Sequence, residues 1–205
     1  MSNTVTTFMA KNWRDLIKPK SLDTDIDSLT STYGKFVARP LERGFGITLG
    51  NALRRVLLSS LQGASAAAVK IDGVLHEFTS IADVTEDITE IILNLKEVRF
   101  KMHDTDQAIV FINQEGPGTV RAADIVTGEH VQILNPDQII GTLGKGGRLK
   151  AEVLIRRGRG YVTAETNKTD DLGLGWIPLD VFFSPVRKVN YTVSQSRVGQ
   201  RTDFD

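Results

Sequence analysis

From Asn51 onward the apolar residues Leu53, Val56, Leu57 and Leu61 recur at the spacing of one helix face. Asn51 is a good capping residue, so the pattern predicts a helix from Asn51 to Leu61. A turn of about 100° per residue places Arg54, Arg55 and Leu58 on the flanks of that stripe. Upstream, KFVARPL reads as a strand that Pro40 confines to an edge or ends, because proline gives the ladder no N–H. The glycine-rich stretch Gly44–Gly50 then reads as a turn that introduces the helix. A second stripe, Ile88, Ile91, Ile92 and Leu95, follows Asp83 and Glu86, whose spacing resembles a capping box. Its one-sidedness predicts packing on a sheet.

The rest of the chain changes to period two. AAVKIDGVLHEF holds two apolar runs joined at Asp72-Gly73, which predicts a hairpin with His76 in its second strand. Between Phe100 and Ile155, the alternating segments RFKM, QAIVFIN, HVQIL and RLKAEVLI are separated by the turn clusters HDTD, EGPG and GKGG. RRGRGYVTAE and DDLGLGW read as glycine-spaced loops, and IPLDVFFSPVRKVNYTVSQSRV as two strands broken at Ser184-Pro185. The first twenty or so residues read as a mobile or partner-ordered lead-in, and SLDTDIDSLTSTYG as a polar connector. The expected class is α+β, with a strand-rich middle flanked by other elements.

With 205 residues, 40% of them hydrophobic, the chain can bury the core of one large domain or two small ones. Lys plus Arg balances Asp plus Glu at 25 each, so no global field draws it to nucleic acid or acidic membrane. The absence of cysteine excludes disulfides, thiolate metal sites and a cysteine nucleophile, and suits a reducing compartment. No signal-peptide core and no run of 18 apolar residues occurs, which reads as a soluble cytoplasmic protein without a membrane partner.

Candidate chemistry is thin. Gly44 and Gly46 fit the start of a dinucleotide fingerprint, but Leu49 stands at its third glycine and Gly50 comes one residue late. No Walker-type loop occurs. His76, His103 and His130 have no second ligand at helical spacing, the carboxylates show no acid/base pairing, and no serine stands in a nucleophile elbow. Neither catalytic residues, metal nor cofactor is expected. Arg156, Arg157 and Arg159, with Gly158, Gly160 and Tyr161, form either a phosphate-backbone and base-stacking loop or a solvated or protein-contacting basic turn. The arginine-bordered helix and Phe45 have the composition of a protein interface.

The motifs PLERGFGITLGNALRRVLLSSL, VKIDGVLHEFTSI, EDITEIILNLK, RGRGYV, SPVRKVNYTV and RVGQRTDFD stand in one order between Lys35 and Asp205. Together they resemble the alpha-subunit family of bacterial DNA-dependent RNA polymerase. The resemblance implies a discontinuous dimerisation domain of sheet and helices, 1–62 plus 187–205, with a mostly β domain, 63–186, inserted into it. It implies a scaffold without catalytic residues, part of a nucleotidyltransferase complex, that pairs as a homodimer and recruits the beta and beta prime subunits. DNA would be met only through that complex, the alternative being a free-standing nucleic-acid binder using Arg156–Tyr161. By the same match Arg54, Arg55 and Leu58 would contact the beta subunit, and Ser184, Pro185, Val186 and Arg187 the large subunits. Phe45, Leu49, Leu53 and Leu57 would form the dimer face or the core beneath it. The family continues beyond TDFD into a further helix, a linker and a DNA-binding domain, so pairing through this stretch alone is expected to be weakened.

Overall fold

A computed structural model describes residues 16–169, 172–198 and 201–205. The lead-in expected at the N-terminus lies mostly outside them. In chain order come strands β1 (Leu22–Thr24) and β2 (Phe36–Ala38), helix α1 (Phe45–Ser59), β3 (Gln62–Ile71) and helix α2 (Ile88–Lys96). Then follow β4 (Phe100–Met102), β5 (Gln107–Glu115), β6 (Gly118–Arg121), β7 (Val131–Ile133), β8 (Ile139–Leu143) and β9 (Arg148–Arg159). The chain ends with β10 (Tyr161–Val162), the short helix α3 (Ala164–Asn167), β11 (Ile177–Pro178), β12 (Val181–Phe182), β13 (Ser196–Val198) and β14 (Arg201–Phe204). This is the α+β class that the patterns imply. Two compact units divide it, one of residues 1–55 with 189–205 and one of residues 56–188.

The larger unit holds a six-stranded sheet in the order β5-β9-β3-β4-β7, with β11 also on β3. Its backbone is the long antiparallel pairing of β3 with β9, from Gln62 opposite Arg159 to Ile71 opposite Ala151. β5 alternates as a strand with one buried face must: Val110 and Ile112 are buried, Ile109 and Phe111 exposed. On the buried side α2 lays down Ile88, Ile91, Ile92 and Leu95, which join Val69, Val110, Val153, Ile155 and Ile140 in one core. The smaller unit contrasts with this. It pairs β1 with β2 and β13 with β14, and among its described residues Leu41 is the only buried hydrophobic.

Several expectations need correction. The first helix starts at Phe45, not Asn51, so Gly46 and Gly50 are helical and only Gly44, at φ +84°, turns the chain. The second helix is capped by Asp87, whose carboxylate accepts from Glu90 N–H at 2.7 Å. Glu86 is engaged elsewhere, accepting from Thr142 N–H at 2.6 Å and Thr142 Oγ1 at 3.0 Å, and Asp83 lies at φ +57° outside the helix. Asp72-Gly73 does turn, but no strand returns, and His76 is in irregular chain, because β3 is already paired with β9, β4 and β11. Arg156, Arg157, Gly158 and Arg159 belong to β9 rather than to a loop, since pairing with β3 continues to Arg159. Before Ser184-Pro185 the expected strand is split into β11 and β12, and after it the chain is irregular from Ser184 to Gln195 and reaches a strand only at β13. The polar connector carries β1, and β6 and β8 form an additional pair.

Candidate assembly surface

α1 is apolar along one side yet buries no residue. On a wheel of about 100° per residue, Phe45, Leu49, Leu53 and Val56 share one stripe. All four are exposed, Leu53 to 57% and Val56 to 51%. Gly46 and Gly50 lie beside this stripe, where the chain near the C-terminus packs. A Cβ on Gly46 would come within 2.8 Å of Val193 Cγ1, and one on Gly50 would overlap the ring of Tyr191. The glycines are therefore a seat for a distant segment, with a cost in helix propensity of about 1 kcal/mol each offset by that packing. Among the described residues the stripe itself stays exposed, and an apolar row of this kind is a mark of an interaction surface.

On the helix's other sides Arg54 and Arg55 are exposed and Leu58 is half-buried. Leu57 is also half-buried, and its carbonyl oxygen accepts from Ser184 Oγ at 3.3 Å. Ser184 is itself buried, to 6% exposure, and its hydroxyl also lies 3.2 Å from Val186 O and 3.3 Å from Val186 N. That knot ties the end of α1 to the segment Ser184, Pro185, Val186 and Arg187. Pro185 and Arg187 are exposed, Val186 is half-buried, and Arg187 pairs with Glu97 at 3.0 Å.

The segment owes its place to a glycine pair that sequence reasoning missed. Gly63 on β3 stands opposite Gly158 on β9. A Cβ at Gly63 would overlap the carbonyl oxygen of Phe183, and one at Gly158 would lie 2.6 Å from Phe183 Cε2. The two absent side chains thus make a slot in which Phe183 is buried, held further by its N–H donating to Gly160 O at 2.8 Å. A glycine interrupting each of two strands was the available signal, because such positions mark a close approach.

The arginines of β9 are largely committed within the protein. Arg156 donates to Thr169 Oγ1 at 3.3 Å, and Arg157 donates to Met102 O at 3.0 Å and pairs with Asp106 at 3.5 Å. The nucleic-acid loop reading loses its geometric basis. Tyr161 is exposed, and its pKa is raised, first by local desolvation of the hydroxyl and then by the neighbouring Asp180 carboxylate. Among the described residues no group of His, Asp and Glu could hold a metal ion, and no helix is long and apolar enough to cross a membrane.

Residues 69–184 match the RNA polymerase Rpb3/RpoA insert domain family. The chain is 57% identical over 197 residues to the DNA-directed RNA polymerase subunit alpha of Geobacter metallireducens, an alignment covering 96% of this chain and 58% of that protein. It is 53% identical, with the same coverage, to the subunit of that name from Pelobacter propionicus. The chain thus spans 58% of the length of these curated relatives.

Proposed function

The chain belongs to the family of bacterial DNA-directed RNA polymerase alpha subunits, and from that membership we propose that it is a non-catalytic assembly scaffold of the transcribing enzyme. Two copies pair, and the pair takes up the beta and beta prime subunits, which supply the nucleotidyl transfer. The pairing part is 1–62 plus 187–205, with 63–186 inserted. DNA is reached only through the assembled complex, in the cytoplasm.

The observation that carries this reading is the exposed stripe of α1, together with a unit in which Leu41 is the only buried hydrophobic among the described residues. Leu22, Ile26, Phe36, Phe45, Leu49 and Leu53 of that unit are all exposed in the single chain. An apolar helix without a core beneath it is costly in water and is relieved by a second apolar surface. Phe45, Leu49, Leu53 and Leu57 are the residues we assign to pairing and its underlying core. Arg54, Arg55 and Leu58, on the other sides of the helix, are assigned to the beta subunit, and Ser184, Pro185, Val186 and Arg187 to the large subunits.

Co-purification of the chain with beta subunit, wild type beside Arg55→Ala, tests the assignment, with sedimentation counting the alpha copies. A desolvated interface arginine is worth about 2 kcal/mol or more, so the variant is expected to lose roughly 30-fold or more in affinity while folding normally. Capture of beta by Arg55→Ala at the wild-type level removes Arg55 from the contact, and absence of capture by wild type defeats the scaffold reading for this chain.

A further inference from the structure

We infer that Asp205 is a positioning residue for the assembly helix: its carboxylate is the N-terminal cap of α1, supplied from 161 positions further along the chain. The inference rests on the assembly reading of α1. The opening turn of a helix leaves backbone N–H groups without partners inside the helix, and a side-chain oxygen from the preceding residue ordinarily accepts from them. Here the two preceding residues, Arg43 and Gly44, carry no acceptor side chain. Instead a single oxygen, Asp205 Oδ2, accepts from Gly44 N–H at 2.7 Å and from Gly46 N–H at 3.1 Å. A carboxylate at this end also meets the positive pole of the helix dipole.

Three features hold the carboxylate in place. Leu41 N–H donates to Asp205 O at 2.8 Å and Asp205 N–H donates to Leu41 O at 3.0 Å, a reciprocal backbone pair anchored on the one buried hydrophobic described in that unit. Gly44, at φ +84°, is in a conformation that glycine adopts readily. Gly46 leaves room, since a Cβ there would come within 3.1 Å of Asp205 Cβ. Phe45 N–H still donates locally, to Glu42 O at 2.9 Å, but Gly44 and Gly46 N–H, and with them the direction in which Phe45 and Leu49 are presented, are tied to Asp205. An assembly surface built in this way is completed only when Asp205 has returned to residues 41–46.

The test compares the full chain with Asp205→Ala and Asp205→Asn, the second of which keeps an acceptor oxygen. Amide exchange at Gly44 and Gly46 is read against Val153 and Ile155 of β9, and beta-subunit capture is measured in parallel. Loss of a helix cap is expected to speed exchange at Gly44 and Gly46 roughly fivefold or more in Asp205→Ala. The β9 amides should be unchanged, capture should fall, and Asp205→Asn should restore both exchange and capture. Unchanged exchange in Asp205→Ala overturns the cap. Faster exchange with wild-type capture overturns its positioning role, as does an Asp205→Asn variant that protects Gly44 and Gly46 again without recovering capture. Should the wild-type chain capture no beta subunit, the assembly reading fails, while the exchange comparison still decides the cap.

Discussion

The ring of Tyr191 lies where Gly50 would carry a side chain, which reverses an ordinary expectation. Gly→Ala within a helix stabilises by about 1 kcal/mol on propensity alone. At Gly50 the added methyl would meet not only the ring edge of the tyrosine but also its Cγ, at 2.8 Å, so overpacking at about 1–3 kcal/mol wins. Gly50→Ala is therefore expected to lower the thermal midpoint at fixed protein concentration, and a raised midpoint would show that Tyr191 yields freely. Tyr161 gives a second check. Local desolvation raises its pKa first and the Asp180 carboxylate second, so Asp180→Asn should bring the phenol's alkaline titration part of the way back toward the ordinary tyrosine range, followed by ultraviolet difference absorbance. The sign for stability follows from the same shift: the folded state holds this proton more tightly, so the contribution is present below the unfolded tyrosine's pKa and is lost as pH rises through the folded one. Neither role was legible in the sequence, where Gly50 reads as part of an introducing turn and Tyr161 as part of a basic loop. Glycines read locally signify turns, whereas Gly46, Gly50, Gly63 and Gly158 answer to Val193, Tyr191 and Phe183, partners that only the tertiary fold brings near.

Among the elements, those with a sustained period were legible and those chosen by a competition between partners were not. The stripe Ile88, Ile91, Ile92 and Leu95 announces α2, and the structure buries all four. Its start was misread because Asp83, Glu86 and Asp87 are each chemically fit to cap it. Thr142 takes Glu86, a positive φ removes Asp83, and Asp87 remains. Asp87→Ala should then cost about 1 kcal/mol, and Asp87→Asn much less, in denaturant unfolding of the chain. Equal and small losses for Asp87→Ala and Glu86→Ala would contradict this division of labour. The hairpin expected after Asp72-Gly73 failed for a related reason: a turn signal states that the chain reverses, not that an open strand edge waits for it. β6 and β8 escaped notice because Gly118 and Gly141 dilute their short apolar alternation.

At the scale of the whole molecule the distribution of burial separates the two units by the kind of stability each can have. Residues 56–188 own a continuous core in which Ile88, Ile140, Leu149, Val153 and Ile155 are inaccessible to solvent. Such a core is expected to unfold by itself, at a midpoint independent of concentration. The unit of residues 1–55 with 189–205 shows only Leu41 buried among its described residues, and its helix buries nothing. Its order should depend on pairing, and mass action then makes its unfolding depend on protein concentration. Calorimetry over a wide concentration range is expected to resolve one fixed transition and one that rises with concentration. Leu53→Asp places a charge in the exposed stripe of α1, where a paired surface would have to desolvate it. In that variant the concentration-dependent transition should weaken or vanish, sedimentation should report monomer, and the fixed transition should stay where it was. A wild-type chain whose transitions are both independent of concentration would mean that α1 is stabilised without a second copy, and the stripe would then need another occupant.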